Sequence, residues 1–272
     1  MTLFIIKGEI LVGKDMMEFQ IKQFLKINPE CLNEPIAIVG MPGIANVGKN
    51  VVMTCVESLK ADKALEIFFQ DFPAQVLVDS NAVLNIPSAT IYHSKNTVGA
   101  QDIFFLTGDF QPSTPKGIYE LSERAAQIFS NFKTKLIIST GAFMTNTQVL
   151  SPKVHVSATS PEILHLFISY RDAVIMDYGT ISGANGLIPV IANKKFGIDG
   201  ACLLADTNPM VMIDPLASKT IINLLNQVFN LNVDVTSLLA QIRNMEELLE
   251  EIKTQFMSRK PSEDLKRQSY IS

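Results

Sequence analysis

Eleven residues, "GMPGIANVGKN" (40–50), carry the densest chemical signal in the chain. From Gly43 they spell Gly, four residues, Gly48 and Lys49, which matches a phosphate-binding loop up to its last position. Such a loop works because successive backbone N–H groups point at an anion, a lysine reaches the outer phosphates and a following Ser or Thr holds magnesium. Here the following residue is Asn50, so the match fails at its most chemically specific letter. A second glycine turn, "GTISGANGLIP" from Gly179, presents Gly183, Asn185 and Gly186. Two readings are open: ligand loops at the ends of strands, or turns in which glycine admits sharp bends and close helix approach.

Other reactive residues assemble no catalytic set, since spacing alone yields no nucleophile, base and orienting group. Cys31, Cys55 and Cys202 are far apart without CxxC spacing and read as buried free thiols. His93, His155 and His165 lack the spacing of a metal pair. Neither a metal nor a cofactor is expected. Asp79, closing "VLVD", and Asp177, closing "AVIMD", are the acidic candidates that a nucleotide enzyme would need.

The elements that position these turns are legible as short apolar runs with helical stretches between them. Of "PIAIVG", "LEIFF", "AQVLVD", "SATIYH", "DIFFLTGD", "KLIISTG", "AVIMDYG" and "ACLLADT", several are continuous rather than alternating, as strands buried on both faces are. Thr114-Pro115, Ser160-Pro161 and Asp214-Pro215 each place a capping side chain before a proline at a helix start. After Asp214, Ala217, Ile221, Leu224, Leu225 and Val228 form one stripe. The expected fold is α/β: a three-layer sandwich around a mostly parallel sheet, with antiparallel pairing between about 64 and 110.

Hydrophobic residues make up 47% of the 272 and charged residues 18%, enough for a core. The net charge of -4 without a basic stretch argues against nucleic acid as a main partner. No apolar run reaches the ~20 residues of a membrane span, and the first residues lack a signal-peptide pattern, so a cytoplasmic location is expected. The expected division is an α/β domain over 1–235, an amphipathic helix over 236–257 and a flexible tail over 258–272. Leu238, Ile242, Met245, Leu249, Ile252 and Phe256 recur in steps of four and three, a seam suited either to self-association or to packing on the helix's own domain. The last residues, Tyr270, Ile271 and Ser272, offer an aromatic and an apolar group to a partner's pocket.

Taken in order, "GMPGIANVGKN", "ISGANGLIP", "ACLLADTNP" and the segment from "DPLASKTIINLL" to "NMEELLEEI" resemble the proteasome assembly chaperone family, in particular its archaeal and bacterial members. The resemblance covers roughly residues 18 to 256. It implies a sandwich similar to that of purine nucleoside phosphorylase, and an ATP-independent chaperone that binds proteasome α subunits and forms homo-oligomers. Family members share glycines and a proline matching Gly40, Pro42, Gly43 and Gly48 but no lysine matching Lys49, which implies a structural turn. The family's docking tail ends in an apolar residue, a tyrosine and one more residue. Here Tyr270 is third from the end and follows Ser269, a departure from that pattern. The alternative expectation is an enzyme, an ATP-grasp-type ligase or a phosphorylase-like protein, that uses the glycine turns.

Overall fold

A computed structural model describes residues 19–95, 101–146, 149–208 and 212–258. The chain begins with β1 (Phe19–Gln23) and β2 (Ile36–Val39), then α1 (Val47–Ser58) and β3 (Asp62–Phe69). A small ribbon, β4 (Leu77–Val78) and β5 (Leu84–Asn85), precedes β6 (Ala89–Lys95), β7 (Asp102–Gly108) and α2 (Pro115–Asn131). Next come β8 (Leu136–Met144), β9 (Val154–Ala158), α3 (Pro161–Ile168) and β10 (Ala173–Ile175). The chain continues through α4 (Ala184–Phe196), β11 (Asp199–Thr207), α5 (Pro215–Phe229) and α6 (Thr236–Ser258).

Among the described residues, nine strands form one sheet in the order β1-β3-β6-β7-β2-β8-β11-β9-β10. Its centre, β7-β2-β8-β11, is parallel. Antiparallel pairing runs through β1, β3, β6 and β7 on one side, as the crowded strands between 64 and 110 imply, and joins β11 to β9 on the other. The continuous apolar runs are explained by burial on both faces. Ile36 and Ile38 point into a core shared with α1, α3 and α5, whereas Ala37 and Val39 point into one shared with α2 and α4. These are the three layers.

All three Pro-marked helix starts are capped. Thr114 accepts from the Gly117 N–H, Ser160 from that of Ile163 and Asp214 from that of Ala217. Two strands of the nine-stranded sheet escaped the apolar-run signal, β1 ("FQIKQ") and β9 ("VHVSA"), because both alternate. Val154 and Val156 are buried while His155 and Ser157 face the half-covered side, so period two replaces a continuous run. "VLVD" is a strand of a different kind: among the described residues, β4 pairs only with β5, outside the main sheet.

The cysteines depart from expectation at one position. Cys55 and Cys202 are buried, and desolvation pushes the Cys55 thiol up to about 12 and raises that of Cys202. Cys31, however, is exposed at the end of a one-turn 3-10 segment, Pro29–Cys31, where Asn28 Nδ2 donates to its sulfur at 3.2 Å. A thiol reagent at pH 8 is therefore expected to modify Cys31 rapidly in the folded protein. Cys55 and Cys202 should react only after denaturation, since the thiolate is the reactive form. Rapid reaction of all three would contradict this burial.

Candidate functional site

The first glycine turn follows β2 at the C-terminal edge of the parallel strands. Its geometry is set by how closely α1 approaches the sheet. A Cβ on Gly40 would lie 2.0 Å from the Gly48 carbonyl oxygen, and one on Gly48 would lie 2.5 Å from that of Thr140. The Gly40 N–H donates to the Leu106 carbonyl at 2.9 Å, and Thr107 Oγ1 donates back to the Gly40 carbonyl at 2.7 Å. Between the glycines the chain makes a tight turn in which Ala45 and Asn46 adopt left-handed φ values of 48° and 52°. Gly43 is different: its backbone is extended, and the nearest atom to an added Cβ is 3.9 Å away.

The second turn lies directly against the first. Asn185, at the start of α4, is buried and uses its amide twice. The Met41 N–H donates to Asn185 Oδ1 at 2.8 Å, and Asn185 Nδ2 donates to the Met41 carbonyl at 3.0 Å. Gln111, from the segment between β7 and α2, makes a second bridge. Its Nε2 donates to the Pro42 carbonyl at 2.7 Å and its Oε1 accepts from the Ala184 N–H at 3.0 Å. Gly183 has a φ of 84°, which only glycine adopts without strain, and a Cβ there would meet Gln111 Oε1 at 2.6 Å. At Gly186 a Cβ would meet the Ile181 carbonyl oxygen at 2.6 Å. The structure thus brings Gly40, Pro42, Gly48, Gly183, Asn185 and Gly186 into one hydrogen-bonded cluster.

The side chains that phosphate chemistry would need face neighbouring elements. Lys49 Nζ lies 3.7 Å from Asp109 Oδ1 at the end of β7, and Asn50 Nδ2 donates to Ser218 Oγ of α5 at 3.2 Å. Asp79 accepts the Asn81 and Val83 N–H groups within its own ribbon turn. Asp177 lines a different space, a cavity of about 430 Å3 beneath α4 that also touches Gly186, Lys194 and Cys202. Among the described residues, no three of His, Cys, Asp and Glu are grouped closely enough to hold a metal ion. His93 and His155 are instead paired with Asp102 at 2.7 Å and Asp206 at 2.8 Å. Replacing Lys49 with Ala is expected to change the melting temperature by under ~2 °C, because a partly exposed ion pair contributes about 0–1 kcal/mol. Calorimetric titration with ATP should look alike for both forms. Nucleotide binding that Lys49→Ala abolishes would restore the phosphate-loop reading.

Gln111, Thr107 and Thr140 were not singled out from the sequence. Thr140 Oγ1 donates to the Val39 carbonyl at 3.0 Å from within β8. Their partners are distant in the chain, and only the "PST" capping segment beside Gln111 is a local signal. A further feature was also missed. Among the described residues, ten of the seventeen exposed large apolar side chains lie along this same C-terminal edge of the sheet. Five belong to the β4–β5 ribbon: Val76, Val78, Val83, Leu84 and Ile86. The others are Ile44 in the first turn, Met144 at the end of β8, Leu150 beyond it, and Met212 and Ile213 before α5.

On α6, Leu238 is fully buried beside α5, whereas Ile242 and Met245 are half-buried. The first member of the seam therefore serves the chain's own core. The side chains of Leu249, Ile252 and Phe256 lie outside the described residues, as do Tyr270, Ile271 and Ser272. Among the described residues no helix is long and apolar enough to cross a membrane.

Comparison with known proteins gives a consistent result. The sequence profile of the PAC2 family matches residues 37–253. An uncharacterised protein of Methanocaldococcus jannaschii is 30% identical over 224 residues, 82% of this chain and 85% of that protein. The crystal structure of PbaB of Pyrococcus furiosus, described as an archaeal proteasome activator, aligns with a TM-score of 0.80 at 26% identity. That alignment covers 88% of this chain and all (100%) of PbaB. PbaA of the same organism, described as an archaeal homolog of proteasome-assembly chaperone, aligns with a TM-score of 0.71 at 22% identity, covering 87% and 93% of the two chains, a likeness of fold.

Proposed function

The chain belongs to the PAC2 family, and from that membership we propose that it is a cytoplasmic proteasome assembly chaperone that binds proteasome α subunits without nucleotide. The observation that carries this reading is the likeness to PbaB over nearly the whole chain. The clustered glycine turns support the nucleotide-independent part, because Lys49, Asn50, Asn185 and Gln111 are all engaged within the fold. A binding protein needs a rigid frame and an accessible apolar surface rather than a reactive pocket. The cross-bridged turns supply the first, and the exposed side chains along the same edge supply the second.

The test is capture of α subunits from the organism's own extract, on the full chain and on a form ending at Ser258, with the bound proteins identified by mass spectrometry. Recovery by both forms is expected if the folded body carries the contact. Recovery by the full chain alone would assign the anchor to the segment that ends in Tyr270, Ile271 and Ser272. Failure of both forms to retain α subunits in the micromolar range would reject the proposal.

A further inference from the structure

The cavity of about 430 Å3 beneath α4 is built from parts that are fixed to one another. Residues of β9 and β11 make its floor, α4 makes one wall and the segment from Met176 to Ile181 makes the other. Gly200, early in β11, lets α4 come down on the sheet, since a Cβ there would lie 2.6 Å from Pro189 Cβ. The Gly200 N–H donates to Thr159 Oγ1 at 2.9 Å and the Thr159 N–H donates to the Gly200 carbonyl at 2.9 Å, which ties the end of β9 to the same point. Pro189 has no N–H, so the Asn185 carbonyl one turn earlier lacks its helical donor. Cys202 Sγ, on the floor, donates to that carbonyl at 3.7 Å. In the opposite wall the Met176 N–H donates to the Val156 carbonyl at 2.9 Å, and the Ile181 carbonyl lies against Gly186. The cleft thus stands open before anything enters it, and its volume falls in the range of small-molecule sites, about 300–1,000 Å3.

Its lining is of two kinds. Met176, Ile181, Leu187 and Val190 are apolar, whereas Ser157, Asp177, Asn193 and Lys194 carry the polar groups. Topology gathers the two charges at one end. Strand β9 runs antiparallel to β11 and β10 runs parallel to β9, so Asp177, just past β10, emerges where β11 begins. Lys194 reaches the same end, because α4 passes into β11 through the short link Gly197-Ile198. Among the described residues, the side chains of Ser157, Asp177, Asn193 and Lys194 make no hydrogen bond or ion pair, whereas the adjacent Lys195 is paired with Glu123 at 2.6 Å. An anion entering this cleft would meet Asp177 uncompensated, and a cation would meet Lys194; a ligand that carries both charges satisfies both. We propose that the cleft binds a small zwitterion with an apolar side chain, of the α-amino acid type. Asp177 takes the ammonium and Lys194 the carboxylate. Ser157 Oγ and the Asn193 amide add neutral hydrogen bonds, and the ligand's side chain lies against Met176, Ile181 and Leu187. The charged end of the cleft is opposite the C-terminal edge of the parallel strands, so this site is separate from the exposed apolar edge and independent of the chaperone's client.

The test is calorimetric titration of the full chain with L-leucine, L-methionine and L-phenylalanine, each beside the acid that lacks its ammonium and the amine that lacks its carboxylate. At least one of the three amino acids is expected to bind in the micromolar to millimolar range, and its acid and amine analogues roughly tenfold more weakly or worse, the effect of losing one charge-assisted hydrogen bond. Asp177 and Lys194 are exposed, so Asp177→Asn and Lys194→Gln should melt like wild type. Asp177→Asn should weaken the amino acid roughly tenfold without weakening the acid analogue, and Lys194→Gln should weaken it as much without weakening the amine. Absence of binding by all three amino acids up to the millimolar range overturns the proposal. So does amino acid binding that both variants retain, or an acid or amine analogue that binds as tightly as the zwitterion.

Discussion

Replacing Gly40 with alanine is expected to lower the melting temperature by roughly 10 °C, the shift that follows from about 3–5 kcal/mol in a domain of this size. The cause is a collision between backbones. The added Cβ would sit 2.0 Å from the Gly48 carbonyl oxygen, 2.5 Å from its carbon and 2.9 Å from Val52 Cγ2. No side-chain rotation relieves the first two contacts. The first turn of α1 has to move off the sheet, and that helix holds Val47, Val51, Val52 and Cys55 in the core. Gly43→Ala is the control, since its Cβ would meet nothing closer than 3.9 Å and its backbone is already extended. Its effect should stay within about 0.5 kcal/mol. Thermal unfolding followed by circular dichroism measures both. A Gly40→Ala protein as stable as wild type would mean that α1 does not approach β2 as described.

This pair of variants also separates the two meanings of a glycine motif. A phosphate loop needs its glycines so that the backbone can approach a ligand, whereas Gly40 and Gly48 are needed so that a helix can approach a sheet. Both demands leave the same letters in the sequence. What distinguishes them lies elsewhere in the chain: Thr140 in β8, Ser218 in α5 and Asp109 after β7 decide where the carbonyls, Asn50 and Lys49 turn.

The layered fold was legible because its central strands are buried on both faces, and such runs need no partner to be recognised. Helix caps were legible because capping is local, acting over three residues from Thr114, Ser160 and Asp214. What depends on distant partners was not. Asn185 was visible as a member of a glycine turn, but its partner Met41 is 144 positions away. Gln111 was not visible at all, although it links the same two turns. The ribbon illustrates the complementary limit. "AQVLVD" has the composition of a buried strand, and only the fold reveals that the sheet leaves it outside with its apolar face open. Apolar composition shows that a segment will be covered; whether its own chain or another supplies the cover is a property of topology.

Asn185 is the position at which a change of few atoms should have the other large effect. Asn185→Leu removes both hydrogen bonds and leaves the Met41 N–H and carbonyl buried without partners, an expected loss of about 3 kcal/mol. Asn185→Asp is the sharper probe. It keeps an acceptor for the Met41 N–H but places an oxygen where Nδ2 now donates to the Met41 carbonyl at 3.0 Å. Burial and that carbonyl both disfavour the carboxylate, so the folded pKa of the new aspartate lies above its unfolded value of about 3.9. The neutral acid can donate to the Met41 carbonyl and restore the pair; the anion cannot. The sign follows: stability is retained below the unfolded value and lost as pH rises through the raised folded one. The deficit of Asn185→Asp relative to wild type, measured by urea unfolding, should therefore be smaller at pH 5 than at pH 8, whereas the deficit of Asn185→Leu should be the same at both. Equal deficits for Asn185→Asp at the two pH values, or wild-type stability of Asn185→Leu, would mean that this amide does not hold the two turns together.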